Sequence, residues 1–293
     1  MNCGDNQPVS IDHYENFPVA SWLCPKELRP AVLSLYQFAR VGDDLADEGI
    51  VSATQRRTDL EAYREDLRRV FTGKPASARW LEVFAPLAQQ VRAHQLPEGP
   101  LQDLISAFLQ DVANPRYPDR AALLDYCSRS ANPVGRLLLH LYGAGTAQDL
   151  EQSDCICTAL QLINFWQDLS VDLEKGRVYL PEQDMRHFDV PTDPRGAIED
   201  GPQLRSLVQS LCQWSRELME TGAPLAWRLP GRLGWELRLV VQGGLRVLEK
   251  IEHMQYATRH QRPVLHRWDL GVMAYRAWKM HRSARTRAMT RIG

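Results

Sequence analysis

Two pairs of aspartates, each four residues apart, are the residues of this sequence whose types and spacing could do chemistry. Asp43 and Asp47 close the stretch YQFARVGDDLAD, and Asp168 and Asp172 close QLINFWQDLSVD. On a helix, a spacing of four places both carboxylates of a pair on one face, one turn apart. If the two faces lie opposite each other, four carboxylates meet in one cavity.

Each pair of acids continues a polar stripe along its own helix. Tyr36 and Arg40 precede the first pair, and Gln161 and Asn164 precede the second, at offsets that keep each set of four on one face. A single pair of this spacing is common on solvated helix faces. Two such stripes inside otherwise apolar helices favour a functional site over ordinary surface acids.

Carboxylates gathered in a cleft repel one another and resist the loss of water. A hard divalent cation relieves both effects. Magnesium prefers oxygen ligands, keeps several waters and usually binds through a few carboxylates plus substrate phosphates. The pattern therefore predicts a magnesium–diphosphate site with several Mg²⁺ ions, in which Asp43, Asp47, Asp168 and Asp172 are the metal ligands.

The elements that must position these residues are helices, because no strand-period alternation runs for any length. We predict an all-α fold in one domain over 1–293, with 1–10 as a loose tail and a loop over 185–201 that acts as a flap. The predicted helices span 26–48, 53–71, 78–94, 101–112, 120–142 with a kink at Pro133, 148–175, 203–221, 231–257 and 269–289.

Composition excludes several classes of function. A net charge of −1 argues against a nucleic-acid partner. Six cysteines without a CxxC pair read as reduced thiols of a cytoplasmic protein, and the start of the chain shows no targeting segment. The sequence contains neither HExxH nor GxSxG, which disfavours hydrolytic chemistry, and no dinucleotide-binding fingerprint.

Both acidic stretches resemble the squalene/phytoene synthase family of head-to-head terpenoid synthases. Further stretches, DHYENFPVAS (12–21), YCSRSANPVGRLLLHLYG (126–143) and NFWQD (164–168), are most similar to its bacterial hopanoid-pathway hydroxysqualene synthases. The residues that carry the resemblance are Tyr36, Arg40, Asp43, Asp44, Asp47, Gln161, Asn164, Asp168, Asp172 and the run GRVYLP over 176–181.

The resemblance implies a helical bundle of the isoprenoid synthase type with a central cavity. It implies Mg-dependent ionisation of presqualene diphosphate, rearrangement of the carbocation and a water quench to hydroxysqualene, with no nicotinamide. Tyr126 would then steady the carbocation, and Arg177 and Arg262 would contact phosphate. Condensation of two farnesyl or geranylgeranyl diphosphates stays open, as does a non-catalytic helical assembly factor.

The sequence departs from the family pattern at Leu245, where the family often has tyrosine, and at two further places that bear on the diphosphate end of the site. Related synthases usually carry Ser-x-Ser-Phe where this chain has Tyr14, Glu15, Asn16 and Phe17, so only the phenylalanine is kept. Family members often have arginine where Gln167 stands. We expect Tyr14, Asn16 and Gln167 to hold the water or to reshape the diphosphate end of the site. Alternatively, Tyr14 and Asn16 cap the next helix.

The C-terminal helix is rich in arginine and lysine. It forms either a solvated basic face or a peripheral contact with anionic lipid headgroups at the inner face of a membrane. The other expected partners are the lipid diphosphate substrate and a separate presqualene diphosphate synthase.

Overall fold

A computed structural model describes residues 24–194 and 196–289, with 281–289 described as helix backbone only. Tyr14, Asn16 and Phe17 lie outside the described residues. Within them the chain forms helices and no strand, apart from an isolated bridge between Thr192 and Ile198. The α-helices are α1 (Arg29–Asp47), α2 (Ala53–Phe71), α3 (Leu81–His94), α4 (Glu98–Ala113), α5 (Arg120–Ser130), α6 (Asn132–Leu141), α7 (Ala147–Gln167), α8 (Leu169–Glu174), α9 (Glu182–His187), α10 (Pro202–Gly222), α11 (Leu225–Arg228), α12 (Gly231–His253) and α13 (Arg267–Met289).

The all-α prediction is confirmed, but two predicted helices are each divided. Pro133 stands in the first turn of α6, after a break at Ala131, so it begins a new helix instead of kinking a continuous one. The second acidic helix breaks at Asp168, whose φ of −97° and ψ of 12° leave the helical region. The predicted loop over 185–201 begins inside α9 and is irregular only after His187.

The helices pack around two apolar clusters. The first cluster lies among helices α1, α2, α3 and α4. It includes Phe38, Tyr63 and Phe84, whose rings contact one another. The second joins α5, α7, α10 and α12 around Trp166 and Leu211. Helix α4 also contacts α5 and α6, and α6 contacts α7. The two clusters are therefore joined through helices that lie between the two acidic motifs in the sequence.

Glycines at helix crossings fix the position of α7, which carries the second acidic pair. A Cβ on Gly135 would lie 2.4 Å from Ser153 Oγ and 2.6 Å from Cys157 Sγ, so α6 approaches α7 closely there. A Cβ on Gly222 would lie 2.6 Å from the Gln152 carbonyl oxygen, which brings α10 equally close. Helix α7 is thus held from both sides by backbone packing that larger residues would prevent.

No helix within the described part of the chain is long and apolar enough to cross a membrane.

Candidate functional site

A cavity of about 550 Å³ lies among α1, α4, α6, α7, α11 and α12. Its wall is mostly apolar. Tyr36, Arg40 and Asp43 enter it from the polar stripe of α1, and Val134 and Gly135 line it where α6 begins. Apolar lining residues include Leu35, Leu104, Phe108, Leu138, Leu160, Leu237 and Val240. The shape suits a long hydrocarbon with a charged group at the α1 wall.

Arg177 brings the two acidic segments together. Its Nη2 donates a hydrogen bond to Asp47 Oδ2 at 2.9 Å, at the end of the first motif. Its backbone N–H donates to the carbonyl oxygen of Asp172, at the end of the second motif, at 2.8 Å. Both side chains of the ion pair are mostly buried. Arg177 lies 130 residues after Asp47 in the sequence but contacts it in the structure.

One aspartate of each acidic pair, Asp43 in the first and Asp172 in the second, has a raised pKa. Burial, followed by repulsion from Asp47, raises the pKa of Asp43 from 3.8 to about 6, although Arg40 opposes the shift. Burial, followed by repulsion from Asp168, raises the pKa of Asp172 to about 6, opposed by Arg177. Half of the Asp43 side chain is accessible, but it faces the cavity and is surrounded by protein at longer range.

Arg40 and Arg262 each pair with acids of the motifs. Arg40 Nη2 lies 2.8 Å from Asp44 Oδ1 and 2.8 Å from Glu48 Oε1. Arg262 Nε donates to Asp168 Oδ1, and Asn164 Nδ2 donates to Asp168 Oδ2 at 3.1 Å. The predicted phosphate-binding arginines therefore stand beside the predicted metal ligands.

Gln167 does not reach the cavity. Its side chain has no exposed surface, and its Nε2 donates to the carbonyl oxygen of Pro263 at 2.7 Å. This burial disagrees with the expectation that Gln167 holds a water, whereas the alternative, that it reshapes the diphosphate end of the site, stays a prediction. The hydrogen bond holds the backbone of the residue after Arg262, so we propose that Gln167 helps to position that arginine.

Tyr126 is also placed differently from the prediction. It is buried among the rings of Tyr117, Phe165 and Tyr179 and is not part of the cavity wall. Its hydroxyl donates to Asp111 Oδ2 at 3.1 Å. Direct contact between this ring and a carbocation in the cavity is therefore not supported, because other aromatic side chains cover it.

Asp111 on α4 is the residue that the sequence analysis missed. Burial raises its pKa to about 7, hydrogen bonding from Tyr126 and the charge of Arg177 lower it, and Asp43 and Asp47 raise it further. It is thus a further carboxylate near Asp43 and Asp47. Its signal in the sequence is weak but present: an acid on the same face of α4 as the buried Leu101, Leu104 and Phe108.

The donor set fits magnesium, although the protein alone does not form a closed metal cage. Among residues 24–194 and 196–289, no three carboxylate, imidazole or thiol groups lie close enough to hold an ion by themselves. Magnesium commonly takes one or two carboxylates and completes its shell with water and substrate phosphate. The mutual repulsion within Asp43/Asp47 and Asp168/Asp172 is what such a cation would relieve.

The remaining predicted site residue, Gln161, is half-buried on α7, one turn before Asn164.

The sequence of this chain is similar to those of several known proteins. The sequence pattern described as squalene/phytoene synthase matches residues 12–269. A hydroxysqualene synthase of Zymomonas mobilis is 34% identical over 231 residues, 77% of this chain and 75% of that protein. A presqualene diphosphate synthase of the same organism is 30% identical over 71% of this chain and 70% of its own length.

A solved structure agrees with the sequence comparisons. The crystal structure of squalene synthase HpnC from Alicyclobacillus acidocaldarius superposes with a TM-score of 0.73 at 35% identity, over 83% of this chain and 90% of that one. The predicted helical architecture of the terpenoid synthases is thereby confirmed. The chain belongs to the squalene/phytoene synthase family.

Proposed function

We propose that this protein ionises presqualene diphosphate with the help of magnesium, allows the carbocation to rearrange, and quenches it with water to give hydroxysqualene. The observation that carries the proposal is the contact of Arg177 with Asp47, which joins the two acidic segments beside an apolar cavity. The similarity to hydroxysqualene synthases supports the choice of substrate and product.

The charged residues of the site bind and stabilise the leaving diphosphate. Magnesium, when bound to Asp43, Asp47, Asp168 and Asp172, supplies positive charge that offsets the charge developing on the phosphate oxygens. Arg40, which already reaches the cavity, donates hydrogen bonds to the same oxygens. Charge-assisted hydrogen bonds of this kind are stronger in a site that excludes water.

The apolar wall protects the carbocation until it has rearranged. Leu, Val and Phe side chains from α1, α4, α7 and α12 line the cavity and present few polar groups. Premature capture by bulk water is disfavoured there. One admitted water then supplies the hydroxyl and gives up a proton, so presqualene diphosphate and water yield hydroxysqualene and diphosphate without a nicotinamide reductant.

A second candidate is the condensation of two farnesyl diphosphates, or of larger allylic diphosphates, to presqualene diphosphate, squalene or a C40 product. The similarity to a presqualene diphosphate synthase favours it specifically. It uses the same leaving group and the same metal, so the site geometry is compatible with both reactions. The two candidates differ in the substrate that is consumed.

Supplying each diphosphate separately to the pure protein, with Mg²⁺ and with or without NADPH, separates the candidates. We expect presqualene diphosphate to be consumed without NADPH, and the extracted hydroxysqualene to carry ¹⁸O when the reaction runs in ¹⁸O-water. Asp125→Asn, at an exposed aspartate of α5, is the matched control for substitutions of the site aspartates. If farnesyl diphosphate is consumed and presqualene diphosphate is not, the first proposal fails.

We further propose that the chain is one domain that works in the cytoplasm on presqualene diphosphate released by a separate synthase. The helices that link the two apolar clusters and enclose one cavity support the single domain. Cooperative unfolding in one calorimetric transition would agree with it, whereas two separate transitions would contradict it.

A further inference from the structure

Helix α13 has apolar residues on two opposite faces. Met273 and Ala277 are buried on the side that packs on α11 and α12. By contrast, Trp268, Tyr275 and Trp278 are 60%, 61% and 42% exposed, and Trp268 also contacts charged side chains at the edge of α12. Single exposed apolar residues are ordinary on protein surfaces. Three large aromatic residues on one helix face mark a surface that contacts something else.

Contacts within the protein hold the exposed aromatic side chains of α13 in place. The indole of Trp268 lies 4.6 Å from Lys250 Nζ and 5.2 Å from the guanidinium carbon of Arg246, both on α12. The rings of Tyr275 and Trp278 contact each other at 6.2 Å between centroids. The aromatic surface of α13, consisting of Trp268, Tyr275 and Trp278, is therefore preformed, which lowers the entropic cost of binding.

The charge around this surface selects the kind of partner. The sequence of α13 contains six arginines and lysines and one acid, Asp269, and one of these basic residues, Arg276, pairs with Glu249 of α12. Asp269 is buried and paired with Arg246 and Lys250, so it offers no negative charge to the outside. A second copy meeting this helix across a twofold axis would oppose like charges. An anionic surface is the complementary one.

We propose that the aromatic surface of α13 and its basic neighbours Arg267 and Lys279 bind the interface of an anionic lipid bilayer. Tryptophan and tyrosine favour the depth of the lipid headgroups, and arginine and lysine attract anionic lipids. Helix α13 packs on α12, which lines the cavity with Leu237 and Val240. Binding there would place α13 between the lipid headgroups and α12, one wall of the cavity.

Vesicle flotation of the full chain, without substrate or magnesium, tests this surface independently of the proposed function. We expect the protein to float with phosphatidylcholine vesicles that contain phosphatidylglycerol, and less so at high salt. Tyr275→Ala combined with Trp278→Ala should lower the partition coefficient at least about tenfold, because two aromatic rings no longer enter the interface. Leu81→Ala, at an exposed leucine of α3, is the matched control and should bind normally.

Circular dichroism establishes that the variants keep the helix content of the wild type. Tyr275→Ala alone, at the most exposed of the three rings, gives a milder second variant with a smaller but measurable loss of binding. The proposal is overturned if the wild type stays in solution with anionic vesicles, or if the double variant floats as well as the wild type. It is equally overturned if size-exclusion chromatography shows a dimer that Tyr275→Ala dissociates.

Discussion

Replacing Arg177 by glutamine removes the guanidinium that contacts Asp47 and faces Asp43, Asp111 and Asp172. The carboxylates then repel one another with less compensation. Removing one partner of a fully buried ion pair costs about 3 to 5 kcal/mol. Because the side chains of Arg177 and Asp47 are 25% and 21% exposed, we expect a loss of about 2 kcal/mol in the free energy of unfolding.

The reciprocal substitution should behave differently. Asp47→Asn also breaks the ion pair, but it removes a charge that repels Asp43. We therefore expect it to cost less than about 1 kcal/mol. In the double variant the two losses overlap, which gives a coupling energy of about 1 kcal/mol between Asp47 and Arg177.

Urea denaturation followed by circular dichroism, with EDTA present, measures all three variants. Arg136→Gln is the matched control, because its guanidinium pairs with Asp154 at a more exposed site and should contribute less than about 1 kcal/mol. We also expect kcat/KM of the Arg177→Gln variant to fall by about tenfold to a hundredfold, because the variant loses one charge-assisted hydrogen bond. If Arg177→Gln unfolds like the wild type, or if Asp47→Asn costs as much, the two acidic segments do not meet as described.

Four further substitutions test other parts of the site and its support. Asp43→Asn or Asp168→Asn should abolish turnover with unchanged helicity by circular dichroism, and undiminished activity in either would refute the metal assignment. Gln167→Leu should lower stability by about 1 to 3 kcal/mol in urea titrations, because a buried carbonyl loses its donor; wild-type stability and KM would contradict the positioning role. Burial raises the pKa of Asp269, but hydrogen bonds led by that from Lys250 lower it to about 2, so its stabilisation is present above pH 3.8 and is lost as the pH falls towards 2. Asp269→Asn should thus be less stable than the wild type at pH 7 and nearly equal to it at pH 2, and a difference that persists at pH 2 would contradict this.

Helices with their own local signals could be predicted from sequence. Helix α2 runs over Ala53–Phe71 as predicted, because Ser52 accepts a hydrogen bond from the Gln55 N–H at its start and Gly73 follows its end. The break between α7 and α8 could not be predicted, because neither proline nor glycine stands there. Asp168, at this break, is instead held by Arg262, 94 residues later.

The difference between local and long-range contacts also explains which features of the site could be predicted from the sequence. The helical spacing of Tyr36, Arg40 and Asp43 predicts a shared face, and all three line the cavity. The environments of Tyr126 and Gln167 depend on partners from other helices and loops, which spacing does not reveal. A buried polar side chain needs a partner, but its sequence does not say whether that partner is a ligand or another part of the chain.

The pairing of charges shows how the site stays folded before substrate arrives. In the first motif Arg177 holds Asp47, and in the second Arg262 holds Asp168. The other acid of each motif is Asp43 or Asp172. Burial, followed by repulsion from the neighbouring aspartate of the same motif, raises the pKa of each to about 6. In each motif one carboxylate is thus paired with a guanidinium from another part of the chain, and the other is poorly compensated. A cation arriving with the proposed diphosphate would relieve the repulsion most at these two poorly compensated acids, and the arginines of the motifs would be in place to receive phosphate oxygens.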